Sequence, residues 1–109
     1  MGRLDNKVAI VTGAGCVGAG WGNGRAIATR FVEEGAYVLA VDLSLDQLED
    51  TMRYNAEHKD RITPHQCDVT DVDQVESTIE ACVTRFGSLD ILVNNVGGSS
   101  KGGPVELSA

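Results

Sequence analysis

The chain has 109 residues, 42% of them hydrophobic and 23% charged, with a formal net charge of −7. That length suits one domain, and the composition is that of a globular chain rather than a disordered one. The negative balance argues against nucleic acid or an anionic membrane as partner, and no stretch approaches the roughly 18 consecutive apolar residues that span a bilayer.

The residues before Lys7 carry no apolar signal-peptide core. Lys7 to Thr12 (KVAIVT) is a β-branched run and predicts a buried strand. A glycine-rich stretch follows, then a helix through about Phe31 and Val32, with Gly35 as its stop. Tyr37 to Val41 (YVLAV) predicts the second strand. Ser44 is an N-cap for the next helix, with Gln47 at the capping-box position and Leu43 placed to staple onto Leu48. The apolar face of that helix reads Leu45, Leu48, Met52, Ala56.

Ile62 to Val69 predicts a third strand, and Pro64 within it places it at the edge of the sheet. The third helix is capped by Thr70 or Asp71, carries a stripe of Val72, Val75, Ile79, Val83 and Phe86, and stops at Gly87. Leu89 to Asn94 predicts the fourth strand, and the segment from Val96 to Pro104 reads as a loop. The three cysteines, Cys16, Cys67 and Cys82, are odd in number and widely spaced, a pattern expected of a reduced, cytoplasmic protein.

Strands joined by helices predict an α/β fold with a parallel sheet. Right-handed crossovers put the first two helices on one face, and a fourth strand pairing on the far side of the first sends the third helix to the other. The expected strand order is 3-2-1-4. Ligands of such sheets sit outside the carboxyl ends of the strands, at the switch point between strands 1 and 4. The segments that follow Thr12 and Asn94 therefore hold the candidate site.

After Thr12 the chain reads Gly13-Ala14-Gly15, then Cys16 to Trp21, then Gly22-Asn23-Gly24-Arg25-Ala26-Ile27-Ala28. Glycines in such a loop let main-chain N–H groups approach a diphosphate, and the following helix offers its positive end. Asp42 follows the second strand and lies 18 residues beyond Gly24, near the roughly 20 expected of an acid that binds ribose hydroxyls. There is no Gly-Lys-Ser/Thr of a phosphate-loop NTPase. Thr12 stands where a methyltransferase usually carries an acid. His65, Cys67 and Asp68 lack the second cluster that a metal site needs.

These residues resemble the cofactor motif of the short-chain dehydrogenases, T-G-x-x-x-G-x-G, and the chain is identified as a member of that family over essentially its whole length. The motif glycines are then Gly13, Gly22 and Gly24, with Gly15 and Asn23 beside them. The loop departs from the pattern by an insert, since six residues, Cys16 to Trp21, stand where most members have one. Cys67-Asp68-Val69 resembles the Asp-Val pair that holds the adenine edge, and Asn94-Asn95-Val96-Gly97 resembles N-N-A-G, which borders the adenosine ribose. The resemblance implies a Rossmann-type dinucleotide-binding domain over residues 1–109, partial relative to the family. It further implies NAD as cofactor, because Asp42 would repel the 2′-phosphate of NADP and Leu43 and Trp21 supply no cation for it.

In this family a Ser, a Tyr-x-x-x-Lys pair and an Asn carry catalysis. Val41 and His58 follow Tyr37 and Tyr54 by four residues, so neither tyrosine makes the pair, and Ser99, Ser100 and Lys101 read as loop residues. The expectation is the NAD-binding part of an oxidoreductase that moves a hydride between nicotinamide and an alcohol or carbonyl, inactive as this chain alone. The second reading is a stand-alone nucleotide-binding or interaction module without catalysis. Such a module would expose the edge of its fourth strand, which invites self-association or pairing with a missing half.

Overall fold

The computed structural model describes residues 3–15, 23–95 and the backbone of 106–108. Nine short segments build it in the order β1 (Val8–Thr12), α1 (Asn23–Glu33), β2 (Tyr37–Asp42), α2 (Leu45–Tyr54), a 3₁₀ turn at Ala56–His58, β3 (Ile62–Gln66), α3 (Val72–Phe86), β4 (Ile91–Asn94) and β5 (Glu106–Ser108). The strands pair in the order β3-β2-β1-β4-β5. All neighbours are parallel except β5, which runs antiparallel to β4. This is the Rossmann-type sheet expected from the sequence, with one more strand. The margin of β4 expected to lie open is occupied, because Asn94, Val93 and Leu92 face Glu106, Leu107 and Ser108.

Side chains alternate across a strand, so a strand covered on both faces is apolar throughout. In β2, Val38 and Ala40 enter one core with Val11, Ala28, Val32 and Leu48, while Leu39 and Val41 enter the other with Val8, Ile10, Cys67 and Cys82. The first core lies under α1 and α2. The second lies under α3, packed by Val75, Ile79 and Phe86. Right-handed crossovers therefore place the helices as the topology requires.

The helix ends follow the caps in the sequence. The Ser44 hydroxyl accepts the N–H of Gln47, and the Asp71 carboxylate accepts those of Asp73 and Gln74. Gly87 closes α3 in the left-handed conformation at φ 91°. Two details differ from the expectation. The N–H of Ser44 goes to Asp42 rather than to the Gln47 side chain, and Leu43 is 63% exposed, so no staple onto Leu48 forms.

The apolar stripes of α2 and α3 supply Leu48, Met52, Val75, Ile79 and Phe86 to the cores, but the buried faces are rotated from them. In α2 the buried residues are Leu48 and Thr51, followed by the cap residue Asn55, whereas Leu45 and Ala56 are exposed. In α3 they are Thr78 and Cys82, whereas Val72 and Val83 are exposed. The physical reason is that each buried polar group has a partner. Thr51 donates to Ala14, Asn55 to Thr29, and Thr78 to the Gln74 carbonyl.

Pro64 lies in β3, at the edge of the sheet, opposite Ala40. The Arg61 carbonyl accepts from Val38 and the Cys67 N–H donates to Asp42, so odd-numbered residues of this segment face β2. Pro64 has the other parity, and its missing N–H lies on the outward side, where no ladder bond is lost.

Candidate functional site

The carboxyl ends of β1 and β4 are joined through Thr12. Its hydroxyl accepts the Asn95 main-chain N–H at 2.8 Å. It shares its own proton between the Val93 carbonyl at 3.2 Å and Asn94 Oδ1 at 3.3 Å. The carboxyl ends of the two strands are thereby tied to each other. Gly13 follows with φ at +64°, and a Cβ there would fall 2.0 Å from the Asn95 carbonyl oxygen. A Cβ on Gly24 would fall 1.8 Å from the Gly13 carbonyl oxygen. These two glycines, eleven positions apart, let the start of α1 seat directly on the exit of β1. Asn23, the first residue of α1, is exposed beside them. Gly22, Val96 and Gly97 lie outside the described residues, as does the insert from Cys16 to Trp21.

Asp42 shares the parity of Val38 and Ala40, which puts it on the α1 and α2 side of the sheet. Its Oδ2 accepts the N–H of Gly15 at 2.8 Å, and its Oδ1 accepts that of Ser44 at 3.2 Å. The carboxylate is aimed by two main-chain donors, and each oxygen retains a second acceptor site. The Gly15 N–H is engaged inside the protein, by Asp42. A Cβ on Gly15 would lie 2.7 Å from Cβ of Gln47 and 3.0 Å from Asp42 Oδ2. Leu43 turns outward beside it, and its carbonyl accepts the Gln66 side-chain amide.

The end of β3 joins the same rim, since the Cys67 N–H donates to the Asp42 carbonyl at 3.0 Å. Asp68 follows. Its Oδ1 accepts both the hydroxyl of Thr70 at 2.6 Å and its N–H at 2.9 Å. The Thr70 hydroxyl, and then its N–H, hold the Asp68 carboxyl below the usual carboxylate range, so it is ionised at neutral pH. The Asp68 N–H is held by the Gln74 side chain at 2.8 Å. Val69 packs its side chain into the α3 core.

The structure thus brings Gly13, Gly15, Gly24, Asp42 and Asn94 together around the ends of β1, β2 and β4, with Asp68 and Val69 one strand further out. It also shows residues that sequence reasoning passed over. Arg25 is buried, its Nε donates to Thr51 Oγ1 at 2.9 Å, and its Nη2 donates to the Gln47 carbonyl at 3.3 Å. Its guanidinium carbon lies 5.2 Å from the centre of the Tyr54 ring. Thr51 in turn donates to the Ala14 carbonyl at 2.7 Å. The available signal was a hydroxyl between Leu48 and Met52 on the inward side of a helix, a place where a polar side chain must have a partner.

Among the described residues no helix is long and apolar enough to cross a membrane. A family model described as short chain dehydrogenase matches residues 7–109. The 2-(R)-hydroxypropyl-CoM dehydrogenase of Xanthobacter autotrophicus is 44% identical over 101 residues, covering 90% of this chain and 38% of that protein. The 3-oxoacyl-[acyl-carrier-protein] reductase of Thermotoga maritima is 36% identical over 95 residues, covering 87% of this chain and 37% of the reductase. The chain therefore spans well under half the length of these relatives. A crystal structure from Burkholderia xenovorans, described as a short-chain dehydrogenase/reductase, superposes with a TM-score of 0.86 at 56% identity, covering 95% of this chain and 41% of that one. Carveol dehydrogenase from Mycobacterium avium in complex with NAD gives 0.78 at 31% identity, covering 89% of this chain and 38% of the dehydrogenase. The chain belongs to the short-chain dehydrogenase/reductase family.

Proposed function

We propose that this chain binds NAD in preference to NADP and is the cofactor-holding segment of an oxidoreductase acting on an alcohol or carbonyl. The observation that carries the reading is the Asp42 carboxylate, fixed by the Gly15 and Ser44 amides at the end of β2. A carboxylate so placed accepts both hydroxyls of an adenosine ribose and repels a 2′-phosphate. A second support is the close seating of α1 on the exit of β1, which a Cβ on Gly13 or Gly24 would prevent and which brings the start of that helix to the ends of the strands. Asp68, ionised and aimed by Thr70, suits the amino edge of adenine, with Val69 beside it. Asn94, Val96 and Gly97 are assigned the border of the adenosine ribose.

When bound, NAD would supply the hydride acceptor or donor. This chain's own residues would bind and orient it. No Tyr-x-x-x-Lys stands among the 109 residues, so the reading gives the chain no proton-transfer step and expects no turnover from it alone. The free, buried Cys67 and Cys82 suit a reducing compartment, in keeping with a cytoplasmic location.

Calorimetric titration of the purified chain with NAD, NADP and AMP tests the proposal. NAD is expected to bind at least about tenfold more tightly than NADP, one hydrogen-bonded charge contact being of that order. Equal or tighter binding of NADP would overturn the assignment of Asp42, and the absence of binding by all three would overturn the nucleotide site itself.

A further inference from the structure

Both polar atoms of the Ala14–Gly15 peptide are held, and so is the N–H of the peptide before it. The Ala14 N–H donates to the Val41 carbonyl at 2.9 Å, the Ala14 carbonyl accepts from Thr51 at 2.7 Å, and the Gly15 N–H donates to Asp42 at 2.8 Å. Thr51 is fully buried. The Nε–H of Arg25 occupies one lone pair of its hydroxyl, which leaves the proton for a carbonyl. The Ala14 carbonyl at 2.7 Å outcompetes the Gln47 carbonyl at 3.4 Å. The chain of donors therefore runs from Arg25 through Thr51 to the Ala14–Gly15 peptide and ends on the Asp42 carboxylate.

A peptide plane is rigid, so fixing its carbonyl fixes the direction of the N–H on its far side. We propose that Thr51 is a positioning residue for ribose recognition: by holding the Ala14 carbonyl it aims the Gly15 N–H, and through it the Asp42 carboxylate, at the 2′-hydroxyl of the adenosine ribose. The inference rests on the proposed role of Asp42. It adds a residue of α2, one helix away from the ligand, to the determinants of sugar selectivity.

The test compares AMP with 2′-deoxy-AMP by calorimetry, since their affinity ratio reads the 2′-hydroxyl contact alone. The wild-type chain is expected to favour AMP by about tenfold. Thr51→Val keeps the shape and removes the hydroxyl, and is expected to bring the ratio to about twofold or less. Thr51→Ser restores the donor and the ratio. A purely structural Thr51 would weaken both ligands alike and leave the ratio unmoved in Thr51→Val, which would overturn the proposal. So would a ratio lost as fully in Thr51→Ser as in Thr51→Val. If circular dichroism shows Thr51→Val unfolded, Arg25→Lys carries the same test, because the Nε–H that directs the Thr51 proton is gone: a lowered ratio supports the relay, and an unaltered one overturns it. A wild-type ratio near one would instead defeat the reading of Asp42, and this inference with it.

Discussion

Thr12 and Asn95 lie 83 positions apart, yet the hydroxyl of the first accepts the main-chain N–H of the second at 2.8 Å. One side chain thus fastens the carboxyl ends of two parallel strands to each other. Thr12→Val preserves the shape, removes the acceptor and leaves a partly buried N–H without its partner. The expected loss of stability is about 1–3 kcal/mol, measured by urea denaturation. A change well below that range would show that water or another acceptor serves Asn95 equally well.

Gly24 offers a sharper contrast. An alanine Cβ there would sit 1.8 Å from a main-chain oxygen, which cannot rotate away, whereas nothing lies within 4 Å of a Cβ on Gly87. Gly24→Ala must push α1 off the sheet, and the expected cost is about 1–3 kcal/mol together with a large loss of dinucleotide affinity. Gly87→Ala meets only the strain of its positive φ, of the order of 1–2 kcal/mol, and leaves affinity untouched. Equal loss of affinity in both variants would remove Gly24 from the site.

Exchanging the charge at the end of β2 should shift selectivity toward NADP. Asp42→Ala with Leu43→Arg removes the repulsion toward a 2′-phosphate and adds a cation on a side chain that already faces solvent. The ratio of NADP to NAD affinity is expected to rise by at least about tenfold. A titration showing unchanged selectivity counts against Asp42 as the selecting residue.

Asp68 makes a prediction in pH. Its carboxyl is held below the usual range chiefly by the Thr70 hydroxyl. The folded-state pKa is depressed, so the stabilisation it brings is present above the unfolded value of about 4 and is lost as pH falls through the folded value. Thr70→Val should raise the Asp68 midpoint in a carbon-13 NMR titration. An unmoved midpoint would assign the shift to another group.

The alternation of strands and helices, their order and the caps at Ser44, Asp71 and Gly87 were legible in the sequence, because β-branched runs and capping side chains act locally. The inward faces of α2 and α3 were legible only in part, through Leu48, Met52, Val75, Ile79 and Phe86. Apolar spacing selected Leu45, Ala56, Val72 and Val83, all exposed, and passed over Thr51, Asn55 and Thr78, which are buried or nearly so because each finds a hydrogen-bond partner. β5 escaped notice for a different reason: a strand of three residues is too short to leave a period to detect. At the site, Asp42 announced itself by its place after a strand, whereas the engagement of Gly15 by Asp42 depends on two segments meeting in space.

The proline in β3 has a consequence for how copies of the chain meet in concentrated solution. With its ring where an outward amide would stand, Pro64 breaks the repeating register of donors that an incoming strand would need to copy. On that flank a fibril could gain no regular template, so polymerisation by strand addition is discouraged by a residue that weakens no bond of the native fold.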